Sequence, residues 1–286
     1  MCYAASEGRM SMGQVASGQY EAEVFSFAKF ARHAFFTQVN RWLVEHLGIE
    51  EGWSVVDLAC GPGAVTELIL QLKKSGQGLI YAVDQSLTEL NKARQRIASK
   101  LVQFVCGSAE QLSRLVPKVD AVVFCNAIHL IEDKRGVLEE IFKVLRPGGV
   151  LGFNTTFFHG AYPEGTASFY KLWVLRAMQR LRSQGVAVVR QAKATAMQWL
   201  SPQEFTSLLE SVGFRNVQVF TMTVDLPIES LEDISEFSMF IEGALPGVPL
   251  PVASQALKEG VRAAARERGI SSLPRNWLQV IARVPA

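Results

Sequence analysis

The chain has 286 residues, of which 49% are hydrophobic and 20% charged, and its formal net charge is +2. This composition excludes bulk disorder, and the balanced charge disfavours an electrostatic nucleic-acid binder. The four cysteines form no Cys-x-x-Cys pair, so zinc and thioredoxin-type sites are not predicted, and a reducing, cytoplasmic compartment is expected. We also predict no signal peptide and no membrane span, because the apolar runs are too short.

The N-terminal part contains an arm and a helical segment. Residues 1–19 are rich in Gly, Ser and Met, which predicts a loose arm. Residues 25–47 carry apolar side chains at helical spacing and predict one or two amphipathic helices.

From residue 53 onward, short apolar runs alternate with helical segments. The predicted strands are 53–58, 79–83, 102–105, 119–124 and 150–153, and the predicted helices are 64–72, 86–99, one from 109, and 133–145. This alternation indicates a parallel sheet with crossover helices, which are expected to be right-handed.

The alternation breaks in the second half of the chain. An aromatic-rich helix covers 169–174, and 186–189 is a weak strand candidate. Ser201 and Pro202 predict a helix start, because Ser is a good N-cap and Pro is favoured at the first helical position. Strands are expected at 216–224 and 277–284, with helices broken by prolines over 228–268.

The first predicted strand ends in a glycine-rich turn that a helix follows. Gly61 and Gly63 would let the backbone approach a ligand at the helix N-terminus. Thr66 stands where a G-x-G-x-x-G dinucleotide fingerprint has its third glycine, so that fingerprint is incomplete. Asp57 would repel a phosphate at close range, and it suits a cationic ligand group instead.

Several segments together resemble the class I S-adenosylmethionine-dependent methyltransferases. They are DLACGPG at 57–63, VDQS at 83–86, CGSAEQL at 106–112, LRPGGVL at 145–151, and the helix that begins at Ser201 and ends near Gly213. The resemblance covers about residues 35–154 and 200–224 and the last strand. With the alternation, it implies an α/β fold: a Rossmann-like, doubly wound, seven-stranded sheet with helical cap insertions.

The resemblance implies a role for each residue at the methionine and ribose parts of the cofactor. Gly61 and Gly63 would lie against the methionine part, and Asp57 would act on its amino end through the turn backbone or water. Asp84 would hold both ribose hydroxyls. Asn126 would meet the cofactor by its main chain or its side chain.

The resemblance also implies an adenosine end. Gln85 and Ser86 would flank the adenosine, and Ser108, Ala109 and Glu110 would border the adenine. Ser108 replaces the Asp that many members carry there, so either Ser108 or Glu110 would bond the adenine amine.

The expected domain organisation has four parts. They are an N-terminal arm with helices at 1–50, a cofactor-binding core at 51–154, a helical cap insertion at 155–200, and a C-terminal core part at 201–286 with a second insertion at about 228–270. Aromatic residues in the cap and the arm predict an apolar pocket, with Tyr20, Phe158, Tyr170 and Trp173 as candidate acceptor contacts.

Methyl transfer from a sulfonium is an in-line displacement, so alignment matters most and a general base is optional. His129 and His159 follow predicted strands, which makes them the candidates for a base or an acceptor contact. The predicted function is methyl transfer to a lipophilic small molecule, such as a natural product, with oxygen favoured over carbon or nitrogen. No metal is predicted, and the chain is expected to be a monomer or homodimer.

Three other functions stay open. Nucleic-acid methyltransferases that act on base amines resemble one another in an Asn/Asp-Pro-Pro-aromatic motif after the fourth strand. In this chain Asn126 is followed by Ala127-Ile128-His129, so the motif is absent. An NAD(P)-dependent oxidoreductase is disfavoured because this chain lacks both the third glycine of the fingerprint and a Tyr-x-x-x-Lys pair. A non-catalytic cofactor-binding protein is disfavoured by the complete set of Gly61, Gly63 and Asp84.

Overall fold

A seven-stranded sheet organises the protein. The computed structural model describes residues 25–73, 76–186 and 199–286. The strands are β1 Val55–Leu58, β2 Ile80–Asp84, β3 Val102–Cys106, β4 Val119–Cys125, β5 Leu145–Thr155, β6 Arg215–Pro227 and β7 Ser272–Arg283. Their order across the sheet is β3-β2-β1-β4-β5-β7-β6.

The first five strands are parallel, so their carboxyl ends meet at one edge of the sheet. β7 pairs antiparallel with β5, and Leu278 lies opposite Thr155 at the carboxyl end of β5. The strand order reverses at β1, between β2 and β4, which is where open α/β sheets bind their ligands.

Ten α-helices lie in the described residues. They are α1 Ala34–His46, α2 Ala64–Leu72, α3 Leu87–Arg96, α4 Leu112–Leu115, α5 Lys134–Val144, α6 Ala167–Ser183, α7 Pro202–Val212, α8 Ile228–Ile234, α9 Ser238–Ala244 and α10 Leu250–Arg268. Short 3-10 turns occur at Phe30–Arg32, Ala109–Gln111 and Ile128–Leu130. The predicted α/β, Rossmann-like, doubly wound class is therefore confirmed.

Side-chain caps start three of the helices. Ser86 accepts from the Glu89 N–H at the start of α3, and Asp133 accepts from the Gly136 N–H at the start of α5. Ser201 and Glu204 form a complete capping box at α7. Such caps satisfy backbone donors that have no partner inside the helix.

The chain divides into two compact units. Within the described residues, the sheet unit contains 37–73, 76–161, 199–222 and 276–286, and the helical unit contains 25–36, 162–186 and 223–275. The central strands of the sheet unit are apolar and buried; all four residues of β1 are inaccessible. In the helical unit, α6 packs along α10, and the Trp173 indole donates to the Leu257 carbonyl at 2.7 Å.

Some boundaries differ from the sequence prediction. β5 begins at Leu145 rather than 150, because Leu145 pairs with Val119 of β4 and extends the strand through the Arg-Pro-Gly-Gly turn. β6 continues to Pro227. The predicted arm at 1–19, Tyr20 and most of the strand candidate at 186–189 lie outside the described residues. None of the described helices is both long and apolar enough to cross a membrane.

Candidate functional site

The turn after β1 has three residues with positive φ: Ala59 at 55°, Gly61 at 52° and Gly63 at 87°. The two glycines have different surroundings. A Cβ added to Gly63 would lie 2.7 Å from Ile97 Cδ1 and 3.2 Å from Ala93 Cβ, so Gly63 permits close packing against the α3 region. A Cβ on Gly61 would meet no described atom within 4 Å, so Gly61 borders open space.

Asp84 ties this turn to the end of β2. Its Oδ2 accepts the Gly61 N–H and its Oδ1 accepts the Ser86 N–H, both at 2.8 Å. Burial raises the pKa of Asp84, while the two N–H groups oppose that rise. Each carboxylate oxygen has two acceptor positions, so Asp84 keeps capacity for two further donors such as vicinal hydroxyls.

Asp57 lies beneath the turn and is almost completely inaccessible. The Thr66 hydroxyl donates to its Oδ2 at 2.5 Å, so Thr66 has a structural use at the position of the missing third glycine. Burial raises the pKa of Asp57 to about 7; the Thr66 hydrogen bond opposes this, and nearby Asp84 adds to it. Asp57 therefore ties the end of β1 to the first turn of α2.

The loop after β3 carries the residues predicted for the adenine. Ser108 and Ala109 are partly exposed, and Glu110 and Gln85 are exposed. The Ser108 hydroxyl donates to the Glu110 carboxylate, so the two side chains form one polar group. That group presents acceptor oxygens, as an exocyclic amine would require.

Asn126 follows β4 in a left-handed conformation, with φ of 53°. Its N–H donates to both Asn154 oxygens at 3.0 Å, its Nδ2 donates to Asn40 Oδ1 at 2.8 Å, and its Oδ1 accepts from Trp277 Nε1 at 2.8 Å. Asn154 also donates to Asn40 Oδ1, at 3.0 Å. Sequence reasoning missed Asn40, Asn154 and Trp277, and no local motif marks them.

His129 is in the 3-10 turn beyond β4 and is only 6% exposed. Its Nδ1 lies 3.2 Å from the Thr155 hydroxyl, and its ring stacks on Phe157 with centroids 4.2 Å apart. Burial, with a smaller contribution from Lys134, lowers the pKa of His129 to about 3. His129 is therefore neutral at physiological pH.

The remaining predicted residues are divided between the two units. His159 is exposed. Phe158 and Trp173 are each only 1% exposed and belong to the cores of the sheet and helical units, respectively. This corrects the expectation that these two rings offer surface to an acceptor. Tyr170 lies in the helical unit beside Tyr162, with ring centroids 4.7 Å apart, and the Arg275 guanidinium is 5.1 Å from its ring.

The edge formed by β3, β2, β1 and β4 thus has a fixed order of groups. Ser108 and Glu110 come first, followed by Asp84, the open side of Gly61, and Asn126. The open space at Gly61 and the spare acceptor capacity of Asp84 fit a nucleoside with a polar extension. The fold and this edge are those expected of a nucleoside-binding α/β protein.

Comparisons with known proteins identify the class more closely. Residues 55–149 match the family described as Methyltransferase domain. The "Uncharacterized methyltransferase YdaC" of Bacillus subtilis is 28% identical over 132 residues, which is 46% of this chain and 72% of that protein. The "Sterol 24-C-methyltransferase erg6" of Aspergillus fumigatus is 31% identical over 45% of this chain and 35% of its own.

Two further proteins are similar to the chain, one in sequence and one in fold. The "Ubiquinone/menaquinone biosynthesis C-methyltransferase UbiE" of Legionella pneumophila is 25% identical over 62% of this chain and 72% of its own. The fold is also similar to phosphoethanolamine N-methyltransferase 2 of Haemonchus contortus, solved with S-adenosylhomocysteine, with TM-score 0.58 and 17% identity over 95% of this chain and 59% of that one.

The chain matches the methyltransferase family over residues 55–149, and this match, the relatives and the fold together support a class I S-adenosylmethionine-dependent methyltransferase. It is a methyltransferase enzyme whose cofactor is S-adenosylmethionine.

Proposed function

We propose that this methyltransferase acts on a medium-sized, lipophilic small molecule and transfers the methyl group to oxygen. The main support for a methyl-donor site at the carboxyl edge of the sheet is the order of groups along it, from Glu110 to Asn126. The names of the sterol and quinone relatives support an apolar acceptor. The widely spaced cysteines support a cytoplasmic enzyme, and we further propose a role in natural-product biosynthesis as a monomer or homodimer.

Each residue of the donor site has a proposed task. Asp84 accepts from the two ribose hydroxyls with its remaining lone pairs, and Gln85 flanks the adenosine. The open side of Gly61 admits the methionine part. Ser108 and Glu110 accept from the adenine amine, with Ala109 beside the ring. Bound S-adenosylmethionine supplies the electrophilic methyl group, and the task of the chain is to orient both reactants and exclude water.

Gly63 and Asp57 act indirectly in this proposal. Gly63 fixes the approach of the helix that follows the turn. Asp57 places negative charge beneath the turn, where it stabilises a cationic amino end without touching it. Because its pKa is raised to about 7, Asp57 is partly protonated near neutral pH. A cation bound nearby would favour the ionised form of the carboxyl group.

His129 contributes as a neutral hydrogen-bond donor rather than as a base. Thr155 accepts the Phe157 N–H at 3.0 Å, so its own buried proton is directed to His129 Nδ1. In this proposal the imidazole proton is on Nε2, from which it would be donated to an acceptor oxygen. A group with pKa about 3 is a weak base at neutral pH, which favours an acceptor oxygen that is already ionised, such as a carboxylate or phenolate.

Carbon methylation is the second candidate, because two relatives carry C-methyltransferase names. The two candidates differ in the proton that must leave. A carbon acceptor needs a base at the reacting atom, whereas an ionised oxygen needs none. His159 is exposed and would be available to such a base role only at the surface.

The first experiment is calorimetric titration with S-adenosylhomocysteine, with NADPH in parallel. Saturable binding of the former alone supports the proposal, and binding of NADPH alone overturns it. Acceptors are then screened as matched pairs, each lipophilic acid or phenol beside its methylated or reduced counterpart. For an ionised oxygen, kcat/KM should follow the pKa of the acceptor; a profile that follows an enzyme group in both wild type and His129→Gln would contradict it.

A further inference from the structure

Four side chains from distant parts of the sequence are joined by hydrogen bonds at the carboxyl end of β4. They are Asn40 of α1, Asn126, Asn154 of β5 and Trp277 of β7, and they form what we call the amide cluster. Asn40, Asn154 and Trp277 are almost completely buried. Buried amides are retained where their hydrogen bonds are satisfied, and they then fix one local arrangement.

The cluster leaves Asn126 little freedom. Asn40 Oδ1 accepts from both other amides, which uses both of its acceptor positions. Asn126 is held at its N–H, Nδ2 and Oδ1 by three different residues. Asn tolerates the left-handed conformation better than most residues, but a φ of 53° still needs this support.

The Asn126 side chain is therefore committed to the cluster, whereas its main-chain carbonyl receives no hydrogen bond from a described residue. β4 lies on the other side of β1 from β2, so Asn126 is about two strand spacings, roughly 10 Å, from Asp84. If Asp84 holds the ribose, the group near Asn126 is the amino-acid end of the donor.

We propose that Trp277 and Asn40 are positioning residues that act through Asn126 on the amino-acid end of the methyl donor. The proposal rests on the proposed donor site. Their hydrogen bonds fix the Asn126 side chain and, through its Cα, restrain the backbone torsions that set the direction of its main-chain carbonyl oxygen. That oxygen is a suitable acceptor for the protonated amino group, which is absent from the adenosine part.

Two ligands separate this role from general stabilisation. S-adenosylhomocysteine carries the amino-acid end, and 5′-methylthioadenosine lacks it but keeps the nucleoside. Trp277→Phe removes the indole N–H and keeps an aromatic ring. We expect the affinity for S-adenosylhomocysteine to fall about tenfold, corresponding to one lost hydrogen bond, while the affinity for methylthioadenosine stays within twofold.

Trp173→Phe is the matched control. Trp173 is equally buried, and its indole donates to a carbonyl at 2.7 Å in the helical unit. Both variants should lower Tm by a similar amount, roughly 2–6 °C, because each loses one buried hydrogen bond. Only Trp277→Phe should discriminate between the two ligands.

A double-mutant cycle tests the route. Asn126→Gly keeps access to positive φ and removes the side chain that Trp277 holds. In that background, Trp277→Phe should cause no further loss of S-adenosylhomocysteine affinity. An equal loss in both backgrounds, a parallel loss of methylthioadenosine affinity, or unchanged affinity for both ligands would each overturn the proposal. If wild type binds neither ligand, the donor site itself is wrong, which is a separate result.

Discussion

The turn after β1 combines residues of positive φ with two buried or partly buried carboxyl groups beside it. Asp57, Thr66 and Asp84 surround a backbone that takes positive φ three times in five residues. Such backbone is costly for a residue with a side chain, as at Ala59, and it persists where the surroundings fix it. Substitutions in and beside this turn should therefore distinguish effects on ligand affinity from effects on the stability of the fold.

Asp57 makes folding stability depend on pH. Its pKa is about 7 in the folded chain, against an ordinary value of 3.8, so the folded state binds an extra proton between these values. Its contribution is fully present below pH 3.8 and is lost as pH rises through 7. Asp57→Asn lacks this term, so relative to wild type it should gain stability between pH 5 and 8. Chemical denaturation without ligand checks this, and a pH-independent difference would contradict it.

The two glycines of the turn should behave differently. Gly61→Ala meets open space, so its fold cost is the left-handed strain of about 1–2 kcal/mol, while the methyl group occupies the space assigned to the ligand. Gly63→Ala adds contact with Ile97 and should unfold at lower temperature. We expect Gly61→Ala to have the greater effect on S-adenosylhomocysteine affinity and Gly63→Ala the greater effect on Tm. Equal effects on both readouts would refute the distinction.

Elements that depend on local sequence were predictable. Ser86, Asp133 and the Ser201–Glu204 pair mark helix starts because a cap involves residues only three positions apart. The start of β5 was not predictable, because it depends on pairing between Val119 and Leu145 across the sheet. The contact between Trp277 and Asn126 likewise joins residues 151 positions apart, which no motif records.

The capping box of α7 gives a prediction about stability alone. Ser201→Ala removes the acceptor of the Glu204 N–H, at 3.2 Å, and should cost about 1 kcal/mol. Ser207 is exposed on the same helix and is not its N-cap, so Ser207→Ala should be neutral or slightly stabilising. Denaturation measures both, and S-adenosylhomocysteine affinity should be unchanged in each. Reduced affinity in Ser201→Ala alone would link α7 to the donor site.

Over the whole molecule, the sequence predicted the sheet, whereas the four-part organisation with two helical insertions stays a prediction. The helical unit combines residues 25–36 with 162–186 and 223–275, and α6 and α10 pack although about 80 residues separate them. Apolar periodicity shows that a helix has a buried face, and it does not show which distant helix covers that face. For the same reason, the sequence did not show that Phe158 and Trp173, two of the predicted acceptor contacts, are buried within their own units.

The division into units predicts where ligand protection appears. All residues of the proposed donor site belong to the sheet unit. S-adenosylhomocysteine should therefore slow amide hydrogen exchange at the ends of β1 to β4 and leave α6 and α10 unchanged. Peptide-resolved exchange with and without the ligand measures this. Protection limited to the helical unit would relocate the donor.

The three described cysteines differ in chemical reactivity. Burial raises the pKa of Cys60 and Cys125, so both remain protonated thiols. Cys106 is only partly buried, and its Sγ lies 3.8 Å from the carbonyl of Gln85, the residue proposed to flank the adenosine. Because alkylation requires an accessible thiolate, iodoacetamide should modify Cys106 ahead of the other two. The chain thus carries an attachment point for a fluorophore beside its nucleoside end, which would report donor occupancy without turnover.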